Sequence, residues 1–142
     1  MLKLLIAIDG SDHARHAVEA AGRLARELAD VQVLLFHVRE LPIVYGDLPA
    51  FDYEAVEQST RDHQSKLLAE AQAQALHCGL TQVETLAGEG AVAAEIARVA
   101  SERAVDHIII GTHGRNALAG LVMGSVAQRV VHLAKVPVLL VK

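Results

Sequence analysis

Two clusters of small and polar residues interrupt an otherwise aliphatic sequence, and both are of the kind that meets an anion. Asp9-Gly10-Ser11-Asp12 follows the first apolar run, and Gly111-Thr112-His113-Gly114-Arg115-Asn116 follows a later one, His107-Ile108-Ile109-Ile110. After nine further residues come Gly124 and Ser125, which open a helical pattern. Glycine permits positive φ and lets backbone N–H groups approach an anion with no Cβ in the way. The Ser125 hydroxyl suits either a helix cap or a phosphate, and the free N–H groups and dipole of a helix start favour the same negative charge. Residue types alone therefore predict an anion site at the end of the fourth strand. A tight turn followed by an ordinary N-cap fits the same residues.

Those clusters are positioned by short apolar runs alternating with helical patterns. The runs cover residues 4–8, 31–38, 83–86, 105–110 and 136–141, and their Val and Ile content reads as strands buried on both faces. The first helical pattern sets Ala17, Ala21, Leu24 and Leu28 on one face. The second, over 52–78, keeps Val56, Thr60, His63, Leu67, Ala71 and Ala75 in register and stops at Gly79. The third, over 91–104, carries Val92, Ile96, Val99 and Arg103, with Ala93, Ala97 and Ala100 as a close-packing face. The fourth, over 125–134, repeats Val126, Val130 and Leu133. This β-α-β-α-β-α-β-α-β order predicts an α/β fold: one doubly wound five-stranded parallel sheet with helices on both faces and right-handed crossovers. In such a sheet ligands sit beyond the carboxyl ends of the strands, where crossovers diverge. The stretch 40–51, with Pro42, Tyr45, Gly46 and Pro49, lacks periodicity and is long for an α/β connection. It reads as a surface loop or as a flap over a ligand.

Composition sets the outer limits. The 142 residues suit a single domain over 1–142, and 52% hydrophobic content with two Phe, two Tyr and no Trp calls for an aliphatic core. Thirteen Lys and Arg against seventeen Asp and Glu give a formal charge of −4, which argues against nucleic acid as a partner. Cys78 is the one cysteine, so no internal disulfide forms. No run approaches a membrane span and the N-terminus lacks a secretory pattern, so the expectation is a soluble, cytoplasmic protein with no membrane insertion.

Gly111-x2-Gly114-x9-Gly124-Ser125 resembles the nucleotide motif of the universal stress protein family, in its ATP-binding branch. The opening Leu5-Ile6-Ala7-Ile8-Asp9-Gly10-Ser11, the middle Phe36-His37-Val38, the run Val105-Asp106-His107-Ile108-Ile109-Ile110-Gly111 and the closing Val136-Pro137-Val138-Leu139-Leu140-Val141 fall in family order. The resemblance implies the sheet order 3-2-1-4-5, which sets Asp9 beside Gly111. It also implies ATP as ligand, with Mg2+ bound through the phosphates. Asp9 and the backbone at Ala7 and Val38 would hold the adenine. Gly111, Thr112, His113, Gly114, Arg115 and Asn116 would contact ribose and phosphates, with Arg115 as a charge partner. Gly124, Ser125, Val126 and Ala127 would receive phosphates at the helix start. Ser11 or Asp12 is available to cap the first helix if Asp9 does not. Pairing through the C-terminal strand, 136–141, would give a homodimer, and a protein partner of unknown identity is expected beside the nucleotide.

One departure stands out. Family members commonly show Gly-x-Pro after the third strand, whereas this chain has Gly88-Glu89-Gly90, which should loosen that turn. The same residues mimic a dinucleotide fingerprint, but in the third βα turn rather than the first. His13 and His16 fall at i, i+3 with no Cys or Glu to complete a metal motif. No nucleophile elbow, P-loop or pyrophosphatase loop is present, so no catalytic residue is assigned and turnover of ATP should be slow at most. A family member that binds partners without nucleotide, and a slow ATPase or adenylate-transferring enzyme, are the alternatives.

Overall fold

Aliphatic side chains on both faces of the central strands dictate a core on both faces of the sheet. The computed structural model describes residues 1–41, 53–114 and 123–142. Its elements run β1 (Leu2–Ala7), α1 (Asp12–Glu27), β2 (Val31–Arg39), α2 (Tyr53–His77), β3 (Gln82–Glu89), α3 (Val92–Glu102), β4 (His107–Gly111), α4 (Ser125–Leu133) and β5 (Val138–Val141). The five strands are parallel in the order β3-β2-β1-β4-β5, as the resemblance implied. Leu4, Ile6, Val33, Leu35 and Ile109 point to the layer formed with α1 and α2. Their neighbours Leu5, Leu34, Phe36, Ile108 and Ile110 point to the layer formed with α3 and α4. β1 lies between β2 and β4, so the chain departs to opposite faces on either side of it.

Register is fixed at the far end of that central pair by Asp106. Its carboxylate accepts from the N–H of Lys3 and its own N–H donates to the Lys3 carbonyl, both at 2.8 Å. Residues 105 and 106, read from sequence as strand, instead close α3. The N–H of Val105 reaches back to the Ala100 carbonyl (3.1 Å) and that of Ala104 to Ser101 (3.2 Å), with Ala104 at φ +51°. α2 ends the same way, Leu80 bonding to Ala75 (3.0 Å) and Gly79 to Leu76 (3.1 Å), with Gly79 at φ +94° as the sequence predicted for a stop.

Three expectations about packing are corrected. Burial on both faces holds for the central strands but not for β3 or β5, which lie at the sheet edges and have no fully buried residue. In α2 the core-facing residues are Gln64, Leu68, Ala71 and Ala75, so Leu68 takes the place assigned to Leu67, and His63 and Val56 are exposed. In α4 the buried pair is Ala127 and Val130, while Val126 and Leu133 are exposed, as is Leu28 at the end of α1. In α2 the small Ala71 and Ala75 sit against the sheet, and in α4 Ala127 does, with the larger Val126 and Leu133 at the flanks.

Candidate functional site

The carboxyl ends of β1 and β4 open into a turn and a loop whose hydrogen bonds follow from their polar residues. Beyond β1, the N–H of Ile8 still donates to Phe36 (2.8 Å), and then Asp9 turns the chain. Asp9 Oδ1 accepts from the N–H of Ser11 (2.9 Å), and Ser11 Oγ accepts from the N–H of Ala14 (3.1 Å). Ser11 is therefore the N-cap of α1, and Asp9 keeps its second oxygen on the side of Gly114. Beyond β4, the N–H of Thr112 donates to Val141 (2.8 Å), and the Thr112 carbonyl accepts from the N–H of Gly124. That last bond seats the start of α4 beside the end of β4.

Between these ends lies a cavity of about 820 Å³. Ala7, Asp9 and Val38 line it from the ends of β1 and β2. Gly111, Thr112, His113 and Gly114 line it from β4 and its loop, and Gly124, Ser125, Val126 and Ala127 from the start of α4. Arg115 and Asn116 lie outside the described residues, as do residues 42–51 of the stretch 40–51 read as a loop or flap. Ser125 is not the cap of α4. Gly124 takes that position and offers no side chain to close it, so among the described residues no side-chain cap is made to the first-turn N–H groups of the helix.

The glycines act by close approach rather than by unusual φ. The left-handed glycines among the described residues are Gly10, Gly79 and Gly90, and the motif glycines are not among them. A Cβ on Gly111 would stand 2.6 Å from His13 Cβ, so its absence lets β4 meet α1. A Cβ on Gly114 would stand 2.9 Å from Asp9 Oδ2, and one on Gly124 would stand 3.2 Å from the Thr112 carbonyl oxygen. Of the two roles expected of these glycines, positive φ is not seen and the absence of a Cβ is what counts: each lets two segments approach closely.

Set against known proteins, the chain matches the model of the universal stress protein family over residues 1–142. The chain belongs to the universal stress protein family. It is 33% identical over 147 residues to the universal stress protein YxiE of Bacillus subtilis, covering 99% of this chain and 98% of that one. A solved universal stress protein family member from Burkholderia pseudomallei is 29% identical with a TM-score of 0.76, covering 98% of this chain and 94% of that one. A family protein from Arabidopsis thaliana solved with AMP bound is 20% identical with a TM-score of 0.72, covering 100% of this chain and 92% of that one, a likeness of fold alone.

In this universal stress protein the cavity also has a wall that the motif does not announce. Thr60 and His63 of α2 face it, with His37 and Arg39 at the end of β2 and Ile96 of α3. Arg39 is buried, 3.3 Å from Glu57 of α2 and in contact with Glu89 of β3. Gln64 is buried too, and its amide donates to the carbonyls of Gly88 (2.9 Å) and His37 (3.1 Å) and lies 2.9 Å from His37 Nδ1. These contacts clamp α2 onto the ends of β2 and β3, next to Val38. The signal for them in the sequence is faint: an arginine closing an apolar run, and a glutamine one place away from the helical register assigned to His63. Gly88-Glu89-Gly90 leads from the end of β3 to the start of α3. The N–H of Gly90 donates to the Arg39 carbonyl (3.0 Å), with Gly90 at φ +125°.

Proposed function

We propose that this universal stress protein binds an adenine nucleotide, ATP with Mg2+ held through its phosphates, and acts as a nucleotide-dependent stress-response or regulatory protein. The observation that carries this reading is the cavity at the divergence of the crossovers, which joins the Asp9 carboxylate to the uncapped start of α4. Its volume falls within the range of about 300–1,000 Å³ usual for small-molecule sites. Asp9 and the main chain at Ala7 and Val38 hold the adenine. The loop 111–116 meets ribose and phosphates, with Arg115 as charge partner, and Gly124, Ser125, Val126 and Ala127 receive phosphate on free N–H groups. The fold-level likeness to a protein solved with AMP is in keeping with this reading. The output is the bound state rather than turnover, in the cytoplasm, by a homodimer paired through β5 that presents a nucleotide-dependent surface to a protein partner.

The test is to denature freshly purified protein, identify any released nucleotide by chromatography, and titrate the protein with ATP and Mg2+. Stoichiometric ATP, or saturable binding, supports the reading. No released nucleotide together with no binding overturns it, and steady ADP release above the blank moves the assignment to a slow ATPase.

A further inference from the structure

A base held by main chain needs that main chain at a fixed angle, because one N–H and one C=O must meet its edge together. The strand that supplies Val38 sets the direction. The Phe36 carbonyl accepts from Ile8 on the β1 side (2.8 Å), and the Arg39 carbonyl accepts from Gly90 on the β3 side (3.0 Å). Backbone groups alternate sides along a strand, so those of Val38 face the β1 side, one step beyond Ile8, in the wall of the cavity.

Gln64 of α2 acts on the same peptide from the opposite side. It is 5% exposed, and its Nε2 donates to the carbonyls of Gly88 (2.9 Å) and His37 (3.1 Å) and lies 2.9 Å from His37 Nδ1. Three acceptors thus surround its two hydrogens. The His37 carbonyl and the Val38 N–H belong to one planar, trans peptide, so a donor that holds the carbonyl also sets the direction of the N–H. On the far side of Val38, Arg39 is held at its carbonyl by Gly90 and at its guanidinium by Glu57 and Glu89. Gly88 stands opposite Val38 in the β2–β3 register, and a Cβ there would lie 2.7 Å from Phe36 Cε2, so the ring packs directly on that strand. Packing alone would ask only for volume at position 64, which an apolar side chain supplies at Leu68, one turn further along α2. The amide adds direction.

Resting on the adenine-nucleotide reading, we propose that Gln64 is a positioning residue for the base. It holds the 37–38 peptide so that Val38 offers its N–H and C=O in the order that adenine matches. Adenine presents a ring acceptor and an amino donor along that edge, whereas guanine presents a ring N–H and a carbonyl, the reverse. The experiment is calorimetric titration of the whole chain, and of Gln64→Met, Gln64→Ala and Leu68→Ala, with Mg–ATP, Mg–GTP and inorganic tripolyphosphate. Each variant is checked by circular dichroism and urea unfolding. The unmodified chain prefers ATP to GTP by more than about tenfold, and both Gln64 variants lose about tenfold of that preference with tripolyphosphate affinity unchanged. Leu68→Ala loses stability but keeps the preference. An unchanged preference in the folded Gln64 variants, or an equal loss in Leu68→Ala, overturns the proposal. In the unmodified chain the nuclear magnetic resonance signal of the Gln64 side-chain amide moves with Mg–ATP and stays in place with tripolyphosphate. No response to Mg–ATP overturns the proposal even if neither Gln64 variant folds. Equal affinity for ATP and GTP in the unmodified chain removes this inference and leaves a nucleotide site. Absence of binding by either nucleotide removes the adenine reading itself.

Discussion

At the scale of the residue, the motif glycines separate into two kinds by what a methyl group would meet. At Gly111 it would press on the Cβ and main chain of His13, at 2.6 and 2.9 Å, and α1 cannot yield without disturbing the sheet. Gly111→Ala is expected to cost about 1–3 kcal/mol of stability in urea unfolding, the usual penalty of overpacking. At Gly114 the contact within 4 Å among the described residues is Asp9 Oδ2, the end of a side chain. Gly114→Ala should leave the urea midpoint nearly unchanged and weaken Mg–ATP binding about tenfold, or 1.4 kcal/mol, by displacing the Asp9 carboxylate. Equal loss of stability in both variants would contradict the distinction. The spacing of these glycines was legible in the sequence, because only small residues fit where backbones meet. Which backbone each one meets was not, since His13 and Gly111 are brought together by the sheet rather than by proximity in the chain. Gln64 and Arg39 were hidden for the same reason: their partners lie on other elements.

At the scale of the element, two helix–strand turns make opposite demands. Gly90 stands at φ +125° and donates its N–H to Arg39, and proline can supply neither feature. Gly90→Pro is therefore expected to destabilise the protein by more than about 1 kcal/mol. A gain in stability on thermal unfolding would show that the turn adapts. Ala104 holds the left-handed position that ends α3, at φ +51°, where an L-residue with a Cβ is strained. Ala104→Gly should raise stability by about 0.5–1 kcal/mol, read from the urea midpoint at constant slope. Strand and helix order followed from the sequence because aliphatic runs and helical periodicity alternate without a break. Ends and registers followed less well. Ala127 of α4 packs inward while Val126 and Leu133 stay outside, and volume alone favours the reverse choice.

At the scale of the whole molecule, the order β3-β2-β1-β4-β5 places the cavity where the sequence put it, because β1 and β4 must be neighbours for Asp9 to meet the glycine loop. The same order leaves β5 at one edge, with Leu139 at 42% and Leu140 at 37% exposure. Pairing there accounts for the proposed homodimer, and it predicts that Leu139→Lys sediments as a monomer while the unmodified chain sediments as a dimer. A monomeric unmodified chain at micromolar concentration would remove that pairing. The opposite edge is of another character. β3 presents Gln82 and Glu84 in exposed positions, and Glu84 is held by Arg103 at 3.0 Å. One edge of the sheet is thus apolar and the other is hydrophilic. Head-to-tail addition would have to lay apolar β5 against carboxylates, so growth into a fibre has no second sticky end to use. Under the proposed pairing, self-association that begins at β5 would use up the apolar edge of both copies at once, and assembly would stop at two.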